Sequence, residues 1–356
     1  MPITGHLLLE SPMISQSGND AWFSMLLALP IGLIYVTMLW RLHQLHQGAH
    51  LAEILLRTYG KWIGSMAISL FVIYGLYVLS ITLYCIIDFT LLIYLQDYSA
   101  LSIVSSLYVV MMYALYVGIE CVARASEPLA LLFAITGSST GFANLTYKDY
   151  SRVLPILENG LAPIMHGILI MTALFGEIII MLMFRLQKNR LQMKHLLYLL
   201  LTLVLFICLT SVGATMGTLA IFGVESSVSK IYPTYDVLKL VSYGFINRFD
   251  IYGIITVVTG GLIRLVLWQI AVNELIHSIV PVVRKPYIHV FIFLMISIVV
   301  LWMIPDSLSF HEYWVKSIYP LTVWITIAIP VLTWVISEFR WKSTSSMTRT
   351  HISEKN

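Results

Sequence analysis

Two charged residues stand inside apolar stretches that are otherwise almost free of charge: Glu177 in "LFGEIII" (174–180) and Arg264 in "TGGLIRLVLWQ" (259–269). A carboxylate or guanidinium in such surroundings costs several kcal/mol, on the order of a lost buried hydrogen bond or more, unless it is paired, hydrated or neutralised. The chemistry within reach is therefore ion pairing, proton carriage or recognition of a polar solute. Gly176 beside Glu177 removes side-chain cover and weakens a helix. This predicts a local unwinding that turns backbone groups and the carboxylate toward a polar cavity; the alternative is a kink with Glu177 bonded to a neighbouring helix. Arg264 has Glu177 and Asp88 as candidate partners, or can extend its head toward the cytoplasmic side. Asp88, in "LYCIIDFTLLIYL", either lines an outer vestibule or caps a polar cluster.

The same residue types exclude other chemistry. Cys85, Cys121 and Cys208 lie in apolar runs without metal-ligand or redox spacing and read as small core hydrophobes. Catalytic triads, phosphate loops and nucleotide motifs are absent from the sequence, so neither enzymatic activity nor a cofactor or metal is expected. A formal net charge of +3 is too small to point to nucleic acid.

The elements that must hold these charges are membrane helices. Of the 356 residues, 59% are hydrophobic and 11% charged, with a mean hydropathy of +0.86. A soluble domain carries about half and a quarter of these classes. Apolar runs predict full spans at 21–41, 65–94, 101–121, 127–145, 161–186, 195–222, 251–278, 287–304 and 317–338, with a half-length piece at 3–17. The amphipathic, basic segment 46–64 reads as a connection with a short helix. In the 223–250 connection, Pro233 suits a helix start, predicting a short helix over the outer mouth. Ser126, ahead of Glu127 and Pro128, is expected to cap a helix at an inside corner. His166 is expected to bond between helices. The 41–64 connection, the turns near 185–194 and 284–285, and the tail hold most of the 21 Lys and Arg residues, which predicts that they and the C-terminus are cytoplasmic.

Gly5 lies in the first, incomplete segment and Gly176 in the sixth. If each opens a set of five spans, the two sets have opposite orientation, because five is odd. Inverted repeats whose first helices are broken near the midplane are a known transporter design. The expected organisation is one transmembrane domain over 1–340, with repeats at 1–145 and 155–340, and a polar tail at 341–356.

Six stretches carry a family resemblance: "NDAWFSMLLALPIGL" (19–33), "YGKWIG" (59–64), "GIECVARASEPLALL" (118–132), "LPILENGLAPIMHG" (154–167), "FGEIIIMLMF" (175–184) and "INRFDIYGIITV" (246–257). In order and spacing they resemble the spore germination permeases, the B subunits of GerA-type nutrient germinant receptors, over about residues 7–340. The resemblance implies an all-α polytopic membrane protein of the amino acid–polyamine–organocation superfamily. It implies about ten spans in a LeuT-like 5+5 inverted repeat, the first truncated at its N-terminus. It also implies residence in the inner membrane of the bacterial endospore, a larger A subunit and a lipoprotein C subunit as partners, and a small germinant, an amino acid or a nucleoside, as ligand. Carried over residue by residue, the germinant pocket comprises Thr4, Gly5 and His6 at the first break, Phe175, Gly176 and Glu177 at the sixth, and Tyr84 and Thr259 on facing spans. The chain departs from the family pattern in starting almost at the first glycine, which leaves open a late start site or a truncated, non-functional copy. Two further readings stay open beside the sensor: an amino acid/proton secondary transporter with Glu177 carrying the proton, and a scaffold subunit with an inactive pocket.

Overall fold

The computed structural model describes residues 3–142, 148–158, 160–185, 190–240, 250–281, 285–304 and 311–340. The expected tail, 341–356, lies outside them. The chain opens with a π-helical turn, Ile3–Leu8, followed after a bend at Leu9 by α1 (Glu10–Ser17). Next come α2 (Ala21–Leu45), α3 (Leu51–Ile93), α4 (Ala100–Val117) and α5 (Ile119–Phe142). The sixth segment is α6 (Leu161–Gly176), continued by a 3-10 helix over Glu177–Met183. It is followed by α7 (Arg190–Val228), the short α8 (Pro233–Lys239), α9 (Asp250–Ile279) and α10 (Lys285–Met303). A π-helical lead-in, His311–Ile318, runs into α11 (Lys316–Arg340), which holds a second π-helical stretch at Trp324–Ala328.

Among the described residues, seven helical stretches are long and apolar enough to cross a bilayer, and Tyr287–Met303 is a shorter apolar helix. Helix α5 falls outside that set by composition, because Glu120, Arg124 and Glu127 crowd its first turns. Residues such as Trp62, Tyr116 and Trp302 expose more than four-fifths of their surface. Aromatic side chains so placed suit lipid and its interfaces, not water. The chain is an all-α polytopic membrane protein.

Local chemistry explains the joints. His50 caps α3, its Nδ1 accepting the Ala52 N–H at 3.1 Å, and the Ser99 hydroxyl accepts the Ser102 N–H at the start of α4. Pro233 opens α8, as its fixed φ and missing N–H suit a first helical position. Inside α3, Gly60 takes φ +78°, separating a short amphipathic helix from the membrane span proper. The inside corner is placed differently from expectation. It falls at Gly118, whose φ of +96° only glycine adopts without strain, and α5 starts at Ile119. Ser126 is therefore not a cap: it sits within α5 and its hydroxyl donates to Ala123 O at 2.6 Å. His166 is exposed and does not bridge helices among the described residues.

The bundle is built on two broad interfaces, α3 with α9 and α2 with α7. Around these, α6 packs on α2, α1 on α6 and α7, α10 on α3, and α4 on α9. Small residues allow the close approaches. A methyl group on Gly75 would overlap Val272 across α3–α9, and one on Gly32 would fall 2.7 Å from the Phe175 ring across α2–α6. Backbones that meet this closely are a hallmark of helix association in lipid, where packing replaces the hydrophobic effect.

Candidate functional site

The sixth segment and α9 bring the two intramembrane charges together. Arg264 on α9 and Glu177 at the start of the 3-10 segment form an ion pair, Nη2 to Oε1, at 2.9 Å. Both are buried, at 6% and 2% side-chain exposure. The Tyr319 hydroxyl on α11 donates to the same Oε1 at 2.9 Å. Thus both described bonds to the carboxylate use Oε1, and three helices from distant parts of the chain converge on one oxygen. Of the candidate partners for Arg264, the structure selects Glu177. Asp88 bonds instead to the Tyr232 hydroxyl at 2.6 Å, within a polar cluster near α8.

The backbone at the sixth segment differs from the expected unwinding. Gly176 and Glu177 keep helical dihedrals, and the helix tightens from α to 3-10 at Glu177 instead of opening into an extended strand. The cause is visible at Gly176. The side chain of Thr326 lies where a β-carbon would be, so the glycine serves close packing against α11. The Tyr35 hydroxyl holds the same contact, donating to Thr326 O at 2.6 Å. A run of 3-10 helix in mid-segment commonly marks a hinge or a strained functional turn. The first segment is irregular in its own way, π-helical through Gly5 with a bend at Leu9.

A cavity of about 540 Å³ opens beside the ion pair. It lies between the first segment, α5, the sixth segment, α7 and α9. Gly5, Glu177 and Thr259 line it, together with Arg264, Ser126 and Ser211. The rest of the wall is mainly leucine, isoleucine, methionine, Phe206 and Trp268. Gly5 reaches the wall because it packs tightly: a β-carbon there would sit 3.3 Å from Leu174 and 3.5 Å from Ser211. The remaining residues singled out from sequence lie elsewhere. Phe175 is buried against Gly32, Gly176 against Thr326, and Tyr84 near Asp88. The side chains of Thr4 and His6 lie outside the described residues. Sequence reasoning missed Tyr319, whose role depends on a contact 142 positions away, and Ser211, an unremarkable serine until α7 is docked. It singled out Arg264 without assigning it to the pocket.

A second set of buried polar contacts fastens α8. Glu10, at 1% exposure, accepts the Thr218 hydroxyl at 2.6 Å, the Thr234 N–H at 3.0 Å and the Thr234 hydroxyl. The Tyr235 hydroxyl donates to Tyr94 at 3.0 Å, and Phe89 packs edge-on against Tyr232 and Tyr235. At the other end of the bundle, Glu53 pairs with Arg185, Arg41 with Glu338 at 3.1 Å, and His46 meets Ser337 at 3.0 Å.

Comparison with known proteins agrees with the residues that carry the resemblance. Residues 4–311 match the spore permease family, described as "Spore germination protein". The chain is similar to spore germination protein XB of Bacillus anthracis, 24% identical over 316 residues that cover 88% of this chain and 87% of that protein. It is also similar to spore germination protein KB of Bacillus subtilis (strain 168), 24% identical over 273 residues covering 75% and 72%. Spore germination protein GerQB of Bacillus cereus is 27% identical over 243 residues, covering 65% and 64%.

Proposed function

The chain belongs to the spore germination permease family, and from that premise we propose that it is the membrane subunit of a nutrient germinant receptor that binds a small germinant and acts with partner subunits. The observation that carries this reading is the cavity beside the Glu177–Arg264 pair. A concave, largely apolar space with a few convergent polar groups is the general form of a small-molecule site. Gly5, Glu177 and Thr259 contribute to it directly; Phe175, Gly176 and Tyr84 support the helices around it.

The inverted repeat is part of the proposal. Exchange each element of 1–145 for its counterpart in 155–340, so that α1 maps on α6, α2 on α7, α3 on α9 and α4 on α10. The interfaces then map onto one another: α2–α7 and α3–α9 onto themselves, and α3–α10 onto α4–α9. The part of α3 before Gly60 and the short α8 also take corresponding places, ahead of the membrane span of α3 and ahead of α9. Such pairing is what two inverted sets of five produce. The germinant, an amino acid or a nucleoside, favours one arrangement of the two sets, and that bias passes to the A and C subunits. The basic connections fit a cytoplasmic C-terminus, and the family resemblance suggests the spore inner membrane as the setting.

Spores lacking this chain should lose the response to at least one nutrient, measured as loss of optical density after nutrient addition. Unchanged germination with every nutrient tested would refute the receptor reading. Proteoliposomes holding the protein alone should not accumulate labelled amino acid under a proton gradient; gradient-driven uptake would replace sensing with transport.

A further inference from the structure

The start of α3 and the end of α11 meet at one end of the bundle. The Tyr59 and Thr333 hydroxyls lie 3.2 Å apart, and Arg340 Nη1 donates to Arg57 O at 3.2 Å. That bond sets two arginines side by side, and Lys61 follows just past the Gly60 turn. The Arg57 side chain is 61% exposed, and Lys61 and Arg340 are exposed as well. The carboxylates that these two helix ends carry are already engaged. Glu53 pairs with Arg185 and, at 3.8 Å, with Arg57, while Glu338 pairs with Arg41. Lys61 makes no ion pair among the described residues. Arg41, Arg57, Lys61, Arg185 and Arg340 thus stand against Glu53 and Glu338 alone on these elements, and the cluster carries surplus positive charge.

The depth of this cluster follows from the helix that bears it. From Gly60 to Ile93, α3 rises about 50 Å at 1.5 Å per residue. Even tilted by about 20° it covers the roughly 40–45 Å of a bilayer with its headgroups. Its Gly60 end therefore reaches the headgroup layer. Trp62, next to Lys61, is 90% exposed, and an indole so placed belongs at the boundary between lipid and water. Met66 and Ile73 continue its stripe along α3 at helical spacing, and both are exposed. Surplus cations at phosphate level thus stand directly above an apolar track that faces the acyl chains.

We propose that this end of the bundle is a docking site for an anionic glycerophospholipid. Arg57, Lys61 and Arg340 hold the headgroup phosphate, Trp62 lies at the level of the glycerol, and an acyl chain runs along Met66 and Ile73. Guanidinium groups bind phosphate with paired N–H donors, and a lysine ammonium adds a point charge. A net negative headgroup offsets the surplus that Glu53 and Glu338 leave. A zwitterionic headgroup brings its own ammonium into the same cationic surroundings and cannot. The bound phosphate also bridges α3 to α11, because Arg57 and Arg340 come from the two helices. The site is independent of the solute cavity, whose lining shares no residue with it.

The test is native mass spectrometry of the delipidated full-length protein in detergent, titrated with phosphatidylglycerol, phosphatidylethanolamine and sn-glycerol 3-phosphate. The first phosphatidylglycerol should bind at least tenfold more tightly than the first phosphatidylethanolamine, in line with about 1 kcal/mol for each basic residue near an anionic surface. Arg57→Gln, Lys61→Gln and Arg340→Gln should each weaken phosphatidylglycerol about fivefold and leave phosphatidylethanolamine unchanged. Lys239→Gln, which removes an equal charge from α8, should bind as wild type does. Lys61→Gln breaks no contact among the described residues, so it keeps the test intact should the Arg340 variant fail to fold. Equal affinity for the two lipids would overturn the site. So would full phosphatidylglycerol affinity in Lys61→Gln and Arg57→Gln, or a loss in Lys239→Gln as large as theirs, which would mean net charge alone. Glycerol phosphate binding as tightly as phosphatidylglycerol would make the ligand a soluble phosphate and overturn the lipid assignment.

Discussion

Neutralising one member of the Glu177–Arg264 pair should unfold more of the protein than neutralising both. At an effective dielectric near 20, two unit charges about 4 Å apart attract by roughly 4 kcal/mol. The bonded atoms lie 2.9 Å apart, and both side chains are almost wholly buried. Removing one partner of such a pair typically costs about 3–5 kcal/mol, because the other is left as an uncompensated buried charge. Glu177→Gln and Arg264→Met should therefore each destabilise by about 3–5 kcal/mol, whereas the double variant should fall within about 2 kcal/mol of wild type. Tyr319 adds an internal control. Its hydroxyl bonds the ionised carboxylate at 2.9 Å, so Tyr319→Phe should cost about 1.5–3 kcal/mol in the wild-type background and less beside Glu177→Gln. The assay is equilibrium unfolding by dodecyl sulfate in mixed micelles, followed by far-ultraviolet circular dichroism. If the single-variant losses simply add in the double variant, to within about 0.5 kcal/mol, the two side chains are not coupled and the argument fails.

Three further outcomes are expected. Burial lowers the pKa of His50, so the folded chain refuses a proton that the unfolded chain accepts near its ordinary value. Stability from His50 should be full above about pH 6.5 and decline as pH falls below it; thermal melts from pH 8 to 5 should show a shallower acid loss for His50→Asn, which keeps a capping acceptor, and parallel curves would count against the cap. Gly260 lines the cavity and has open space where a β-carbon would go, so Gly260→Met should leave the melting temperature within a few degrees of wild type while weakening ligand response at least tenfold; a large loss of stability would mean the space is not open. Glu10→Ala removes the acceptor shared by Thr218 and Thr234, at a cost of about 1–3 kcal/mol, and hydrogen exchange should rise across Pro233–Lys239; unchanged protection there would deny that Glu10 fastens α8.

Hydropathy marked the apolar spans and the anomaly of Glu177 and Arg264, and Pro233 marked the start of the short helix, because apolar length and the fixed φ of proline are local properties. Gly118 shows the limit. Nothing local distinguished it from Ser126 as the corner, and only the positive φ of the folded chain decided between them. The partner of Arg264 was likewise undecidable from spacing, since Glu177 and Asp88 both sat in apolar spans and the choice depends on how α9 is rotated against α3 and the sixth segment. Gly176 had the signature of an unwound turn, yet packing against Thr326 kept its backbone helical. Tyr319 entered the site from the far end of the chain, and Tyr84 and Phe175 were turned away from it. Composition and hydropathy suffice to make this a helical membrane protein with charges it must hide. Tertiary structure decided which charges meet, because helix rotation and register are set by close packing between helices distant in sequence, and one residue of register moves a side chain by about 100° around its helix.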